Sequence, residues 1–182
     1  MSYRISTVAS STKLKRIVSG GQTGVDRAAL DAALGAGFPC GGWVPGDRMA
    51  EDGVIPERYP LMALPNGNYQ QRTRLNVVDS DGTALLYSDF LTSGTRLTSD
   101  LCEMLNRPCI LISARETPDP YAAAEVVWRF IEDNGIRVLN VGGPRASGWP
   151  AGYGFSRTVI AEVIKKETAE LISTRRGVDA CG

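Results

Sequence analysis

The sequence contains no histidine. Ser-His-Asp and Cys-His catalysis, histidine metal ligands and the usual general base near neutral pH are therefore excluded. Any chemistry must come from carboxylates, Lys, Arg, Tyr, Cys or a bound ion. Net charge is absent as well: 20 Lys+Arg balance 20 Asp+Glu. A protein dedicated to nucleic acid or to a membrane surface usually carries a basic excess, so neither partner is expected. No apolar run approaches the roughly 20 residues that span a bilayer, and residues Met1 to Thr12 lack the apolar centre of a signal peptide. The four cysteines, Cys40, Cys102, Cys109 and Cys181, form no C-x-x-C pair. They read as small buried thiols of a cytoplasmic protein rather than as disulfides or zinc ligands. Lysine is scarce, with four against sixteen arginines. The planar guanidinium fork suits phosphate or carboxylate.

What remains is enough for one folded domain. The chain has 182 residues, 43% of them hydrophobic, within the usual size of a single domain. The expected domain spans residues 14–172, flanked by flexible polar tails at 1–13 and 173–182.

Three segments share one grammar. Arg16 to Ser19 is a short apolar strand, followed by Gly20-Gly21-Gln22-Thr23-Gly24 and a helix over Val25–Gly35. Thr83 to Tyr87 is a near-continuous apolar strand, followed by a loop to Gly94 and a helix from Thr95 to Asn106. Arg137 to Val141 is the third strand, followed by Gly142-Gly143-Pro144-Arg145, a Gly/Trp/Pro-rich loop and a helix from Phe155 to Ser173. Cys109 to Ile112 adds a strand, and Pro120 to Asn134 an amphipathic helix with Ala124, Val127, Trp128 and Ile131 on one face. Phe38 to Val44 is a strand broken by two glycines. Tyr69 to Val78 is a helix with a thin apolar face, and 45–68 reads mostly as a long loop with a short strand at Leu61–Leu64. Strands alternating with helices predict an α/β fold, a mainly parallel sheet with helices on both faces.

In such a sheet every strand-to-helix loop lies at the carboxyl edge. Gly20–Gly24, Ser93–Thr95 and Gly142–Arg145 should therefore meet there. Glycine lets backbone N–H groups approach a ligand, and the helix N-termini add unpaired donors. The expected ligand is a small phosphorylated molecule. Its expected contacts are Gly20, Gly21, Gln22, Thr23, Gly24, Arg27, Ser93, Gly94, Thr95, Gly142, Gly143 and Arg145. No Lys follows the first loop, so this is not a P-loop. Asp26 can cap its helix or touch a ribose or a metal; capping is the commoner use. Asp26 and Asp89 are the candidate catalytic carboxylates should a reaction occur. Asp79 and Asp81 precede a strand and fit a turn at the opposite edge. Arg48, Glu51 and Asp52 can form a lid over the pocket or a solvated loop. Arg72 can bind an acidic ligand or face water, as can Arg74, for which water is favoured. Trp43 and Trp149 lie near the loops and can stack on a planar ring.

The run Ser19-Gly-Gly-Gln-Thr-Gly-Val-Asp-Arg-Ala-Ala-Leu30, with Ala50-Glu-Asp-Gly53, Tyr69-x-x-Arg72-Thr73, Asp79-Ser80-Asp81-Gly82-Thr83, Ser93-Gly-Thr95 and Asn140-Val-x-Gly-Pro-Arg145, resembles the molybdenum cofactor carrier family. That family belongs to the SLOG group, which includes the "lonely guy" phosphoribohydrolases. The resemblance implies a Rossmann-like three-layer sandwich, a homodimer or homotetramer, and a pocket for the molybdenum cofactor (molybdopterin) or a nucleotide. The cofactor would bring its own metal, so no protein metal ligand is expected. The alternatives are a phosphoribohydrolase-like hydrolase and a nucleotide sensor. The phosphoribohydrolases carry Pro-Gly-Gly-x-Gly-Thr-x-x-Glu. Here the corresponding stretch has no Pro-Gly-Gly opening, and Thr98 stands in place of the acid.

Overall fold

The computed structural model describes residues 14–179, with side chains through Ala169. The expected tail at 1–13 and the residues 180–182, Cys181 among them, lie outside the described residues. The central sheet joins β1 (Arg16–Val18), β2 (Cys40–Gly41), β7 (Gly82–Tyr87), β8 (Cys109–Ser113) and β9 (Val138–Gly142) in the order β2-β1-β9-β7-β8. Every pairing in it is parallel. Helices α1 (Val25–Gly35), α4 (Pro120–Asn134) and α5 (Gly152–Asp179) pack together on one face. Helices α2 (Tyr69–Val78) and α3 (Ser93–Met104) pack against each other over the second. This is a Rossmann-like three-layer sandwich. No helix among the described residues is long and apolar enough to cross a membrane.

The two faces of the sheet are chemically unlike. Leu139 and Val141 on β9, with Ala84 and Leu86 on β7, belong to the main core against α1, α4 and α5. Asn140 and Thr83 alternate with them and so point to the other face. There the buried Asn140 amide donates to the Thr83 hydroxyl at 3.2 Å. Polar residues at strand positions otherwise occupied by core aliphatics mark where the site lies.

Helices α1, α2 and α4 have the bounds read from the sequence. Helix α3 begins at Ser93 rather than Thr95, and α5 begins at Gly152 and runs past the expected Ser173. The 45–68 stretch is more ordered than expected. Besides β3 (Trp43–Pro45) paired with β6 (Met62–Leu64), it holds a hairpin of β4 (Met49–Ala50) and β5 (Gly53–Val54). Gly42, at φ +136°, turns the chain out of the central sheet into β3; a β-carbon there would stand 2.1 Å from the Ser19 carbonyl oxygen.

Candidate functional site

The three glycine-bearing loops follow β1, β9 and β7, which are neighbours in the sheet. Their convergence is a consequence of that order. They enclose a cleft of about 530 Å³ walled by Gln22 from the first loop, Thr92–Thr95 from the second, and Gly143, Arg145 and Ser147 from the third. A recess of about 20 Å³, room for a water molecule, continues inward between the sheet and α2.

Of the residues expected to touch a ligand, Gly20, Gln22, Ser93, Gly94, Thr95, Gly142, Gly143 and Arg145 line these spaces. Gly21, Thr23, Gly24 and Arg27 do not. Gly24, at φ +77°, is the N-cap of α1 and packs against the Pro144 carbonyl, where a β-carbon would be 2.6 Å away. The Thr23 hydroxyl donates to Glu51, and Arg27 forms a two-pronged ion pair with Asp52 while its Nε donates to Gly21 O at 3.2 Å. Glu51 and Asp52 thus fasten the β4–β5 hairpin to the first loop. At the second loop the Thr92 N-cap makes no side-chain hydrogen bond to its helix backbone; its hydroxyl sits 3.0 Å from that of Thr95. The first amides of α3 therefore remain available at the cleft wall.

The recess is built around Asp26 and Arg72. Asp26 is 5% exposed and Arg72 6%. The Asp26 carboxylate accepts from the Gln22 backbone N–H at 3.3 Å and lies 3.8 Å from Nη1 of Arg72. Burial pushes the Asp26 carboxyl up to about 6, against the opposing pull of Arg72 and of the Gln22 and Gly20 amides. The guanidinium also lies over the Tyr69 ring, 4.3 Å from its centroid. Among the described residues, nothing accepts a hydrogen bond from the buried Nε of Arg72. Asp26 does not cap α1 by side chain; it lines both the recess and the cleft instead.

Sequence reasoning left Tyr69, Thr73, Asn76 and Asn140 out of the site and did not place Arg72 in it. Tyr69, Arg72, Thr73 and Asn76 are spaced i, i+3, i+4 and i+7, one face of α2. That face is buried at Arg72, Thr73 and Asn76 although it is polar. The helix was legible, with its Asn68/Gln71 capping box; the usable signal was a helical stripe of polar residues where an apolar stripe belongs. Asn76 spends its amide on the main chain of Trp43, accepting at 2.8 Å and donating at 3.0 Å. Thr98, at the position of the phosphoribohydrolase acid, does face the recess, and its hydroxyl donates to Gly94 O at 3.1 Å.

Other candidates lie elsewhere. Asp89 is exposed and sits 3.9 Å from Arg115, outside the residues lining the cleft. Trp149 is buried against Phe155, with ring centroids 5.6 Å apart, so it is core rather than a stacking platform. The Trp43 indole donates to Asp79 at 2.7 Å and does not line the cleft. Asp81 accepts from the backbone of Arg137 and Val138, which makes the Asp79–Asp81 stretch a structural turn at the far edge. Arg74 is exposed. No group of three or more metal-ligating side chains occurs among the described residues.

The family described as circularly permutated YpsA SLOG matches residues 17–164. A crystal structure from Syntrophus aciditrophicus SB, named "Putative molybdenum carrier protein", is 40% identical, with a TM-score of 0.79 over 83% of this chain and 94% of that one. No curated protein matches the chain.

Proposed function

The chain belongs to the circularly permutated YpsA SLOG family, and from that premise we propose that it is a binding protein for a phosphorylated, planar heterocycle held in the cleft. The similar protein from Syntrophus is named for carrying molybdenum, which favours a molybdopterin-type cofactor; a nucleotide offers the same two chemical handles. In this reading the amides of α3 at Gly94 and Thr95, with Gly143 and the Arg145 guanidinium, take the phosphate. The Tyr69 ring and the polar stripe of α2 take the heterocycle. The metal is cargo on the cofactor and needs no protein ligand.

The observation that carries the proposal is Arg72. A guanidinium buried to 6% exposure with an unpartnered Nε is expensive to keep. Its position in the recess that adjoins the cleft supports a ligand that supplies the missing acceptor. Native mass spectrometry of freshly purified protein tests this directly. A co-purified pterin, with or without molybdenum, supports the carrier reading, and a co-purified nucleotide supports the alternative. If neither adduct forms and no pterin or nucleotide raises the melting temperature, the binding reading fails. Stabilisation should follow ligand concentration over Kd, and Arg72→Gln should abolish it.

A nucleotide-processing enzyme is the second reading, and one observation favours it: Asp26, with a pKa near 6, is a carboxyl able to exchange a proton near neutral pH. Asp26→Asn separates the two. A carrier retains measurable binding with no turnover to lose, whereas an enzyme loses rate far more than affinity.

A further inference from the structure

The donors at the hairpin side of the cleft are occupied by the chain's own carboxylates. Glu51 accepts from the Thr23 hydroxyl, from the Ser147 hydroxyl at 2.6 Å and from the Ser147 backbone N–H at 3.2 Å. Its carboxylate lies 3.6 Å from Nε of Arg145. Although it sits at the tip of a surface hairpin, its side chain is only 18% exposed. Two hydroxyls, a backbone amide and a guanidinium converging on one anion form the donor set that recognises a phosphoryl group. These donors hold the Glu51 carboxyl below its ordinary range.

The hairpin that delivers Glu51 is slight. Its ladder pairs only Met49 with Val54 and Ala50 with Gly53, and Met49 and Val54 are exposed. The Glu51 amide donates to the Gln22 side chain at 2.9 Å, and Asp52 pairs with Arg27. Gln22, Arg145 and Ser147 line the cleft; Glu51, Thr23 and Arg27 do not. Thr23 of the first loop and Arg27 of α1 are thus engaged by the hairpin's own carboxylates and withheld from the cleft. Arg72, buried in the recess that adjoins this cleft and with its Nε unpartnered, independently points to an absent acceptor.

We propose that Glu51 is a built-in anion occupying a phosphoryl subsite formed by Thr23, Ser147 and Arg145, and that a phosphoryl group of the ligand displaces it. Displacement frees the β4–β5 hairpin and joins Thr23 and Arg27 to the cleft. This rests on the reading of the cleft as a site for a phosphorylated ligand.

Pyrophosphate is the probe, with affinity measured by calorimetry for the full chain, Glu51→Gln, Glu51→Ala and Arg72→Gln. An internal competitor lowers apparent affinity by the fraction of molecules it leaves open. Both Glu51 variants should therefore bind about tenfold more tightly. Adding pyrophosphate to the unaltered chain should speed hydrogen exchange at the amides of 47–54. If Glu51→Ala does not fold, Glu51→Gln, which keeps the side chain's size and one acceptor oxygen while removing the charge, carries the test. Glu51 variants that bind no tighter, while the unaltered chain binds in an Arg72-dependent way, would make Glu51 a structural strap and overturn this inference alone. Absence of pyrophosphate binding in every variant, Glu51→Gln included, would overturn the phosphoryl reading of the cleft together with it.

Discussion

Nη1 of Arg72 lies 1.5 Å from the place where a β-carbon on residue 20 would stand. Gly20 is therefore the space in which the guanidinium rests, and the glycine of the first loop serves an arginine from α2 as much as any ligand. Gly20→Ala should push Arg72 away from Asp26 and leave a buried carboxylate without its counter-charge. Removing one partner of a buried pair costs about 3 kcal/mol, although Asp26 can relieve part of this by taking a proton. The expected result is a melting temperature lowered more at pH 8 than at pH 5, with binding of phosphorylated ligands lost. Unchanged melting at both pH values would show that Arg72 has another place to go.

The titration of Asp26 has a definite sign. Its pKa rises from 3.8 to about 6 on folding, so between those values the folded state holds more protons than the unfolded state. Stability then falls as pH rises from about 4 to about 6 and levels off above, by up to about 3 kcal/mol. Asp26→Asn removes this slope. It also deprives Arg72 of its counter-charge, but that offset does not vary across the window. The measurement is the difference in unfolding free energy between Asp26→Asn and the unaltered chain, by denaturant titration from pH 4 to 8. It should move in favour of Asp26→Asn up to pH 6 and then stay flat. A flat difference throughout would place the Asp26 pKa near its unfolded value.

Gly94 and Gly143 belong to two of the converging loops, yet they should respond to alanine in opposite ways. At Gly143 a β-carbon would stand 2.2 Å from the Leu86 carbonyl oxygen, which is backbone inside the central sheet and cannot yield. Gly143→Ala should cost about 3 kcal/mol, at the upper end of overpacking effects. At Gly94 the obstruction is the Tyr69 hydroxyl at 2.8 Å, the far end of a side chain that is partly exposed. Gly94→Ala should change stability by less than about 1 kcal/mol while weakening ligand binding, because Tyr69 moves into the cleft. Thermal melts of the two variants, followed by the pyrophosphate titration on Gly94→Ala, check both halves.

The sheet, its helices and the meeting of three loops were legible because each depends on local signals: apolar runs, capping residues and glycine after a strand. The parallel order then forces the loops to one edge. What the sequence concealed depends on pairing across distance. Nothing local says that Thr23 and Arg27 will be taken by Glu51 and Asp52 from a hairpin of two-residue strands. The polar face of α2 left Arg72 open between an acidic ligand and water, because its counter-charge Asp26 comes from α1 and the Asn140 that shares its recess comes from β9. Trp149 misled for the converse reason. Its neighbours in sequence are loop residues, but its ring is claimed by Phe155 and the core.

Asp81 offers a control at the opposite edge of the sheet. Its carboxylate accepts from the backbone N–H groups of Arg137 at 2.9 Å and Val138 at 2.8 Å, and its own N–H donates to Val138 O at 2.9 Å. These bonds fasten the start of β9 beside the start of β7, two strands whose far ends carry cleft loops. Asp81→Ala leaves two backbone donors without their acceptor and should cost about 2 kcal/mol. Asp81→Asn keeps an acceptor oxygen and should cost less. Because the register of β7 and β9 is fixed along its length by the ladder from Gly82–Leu139 to Leu85–Gly142, the loss should not reach the carboxyl edge. Pyrophosphate affinity measured well below the melting temperature should therefore match that of the unaltered chain. A parallel fall in affinity would mean that the far turn sets the loop positions, and that the cleft is less independently built than its backbone suggests.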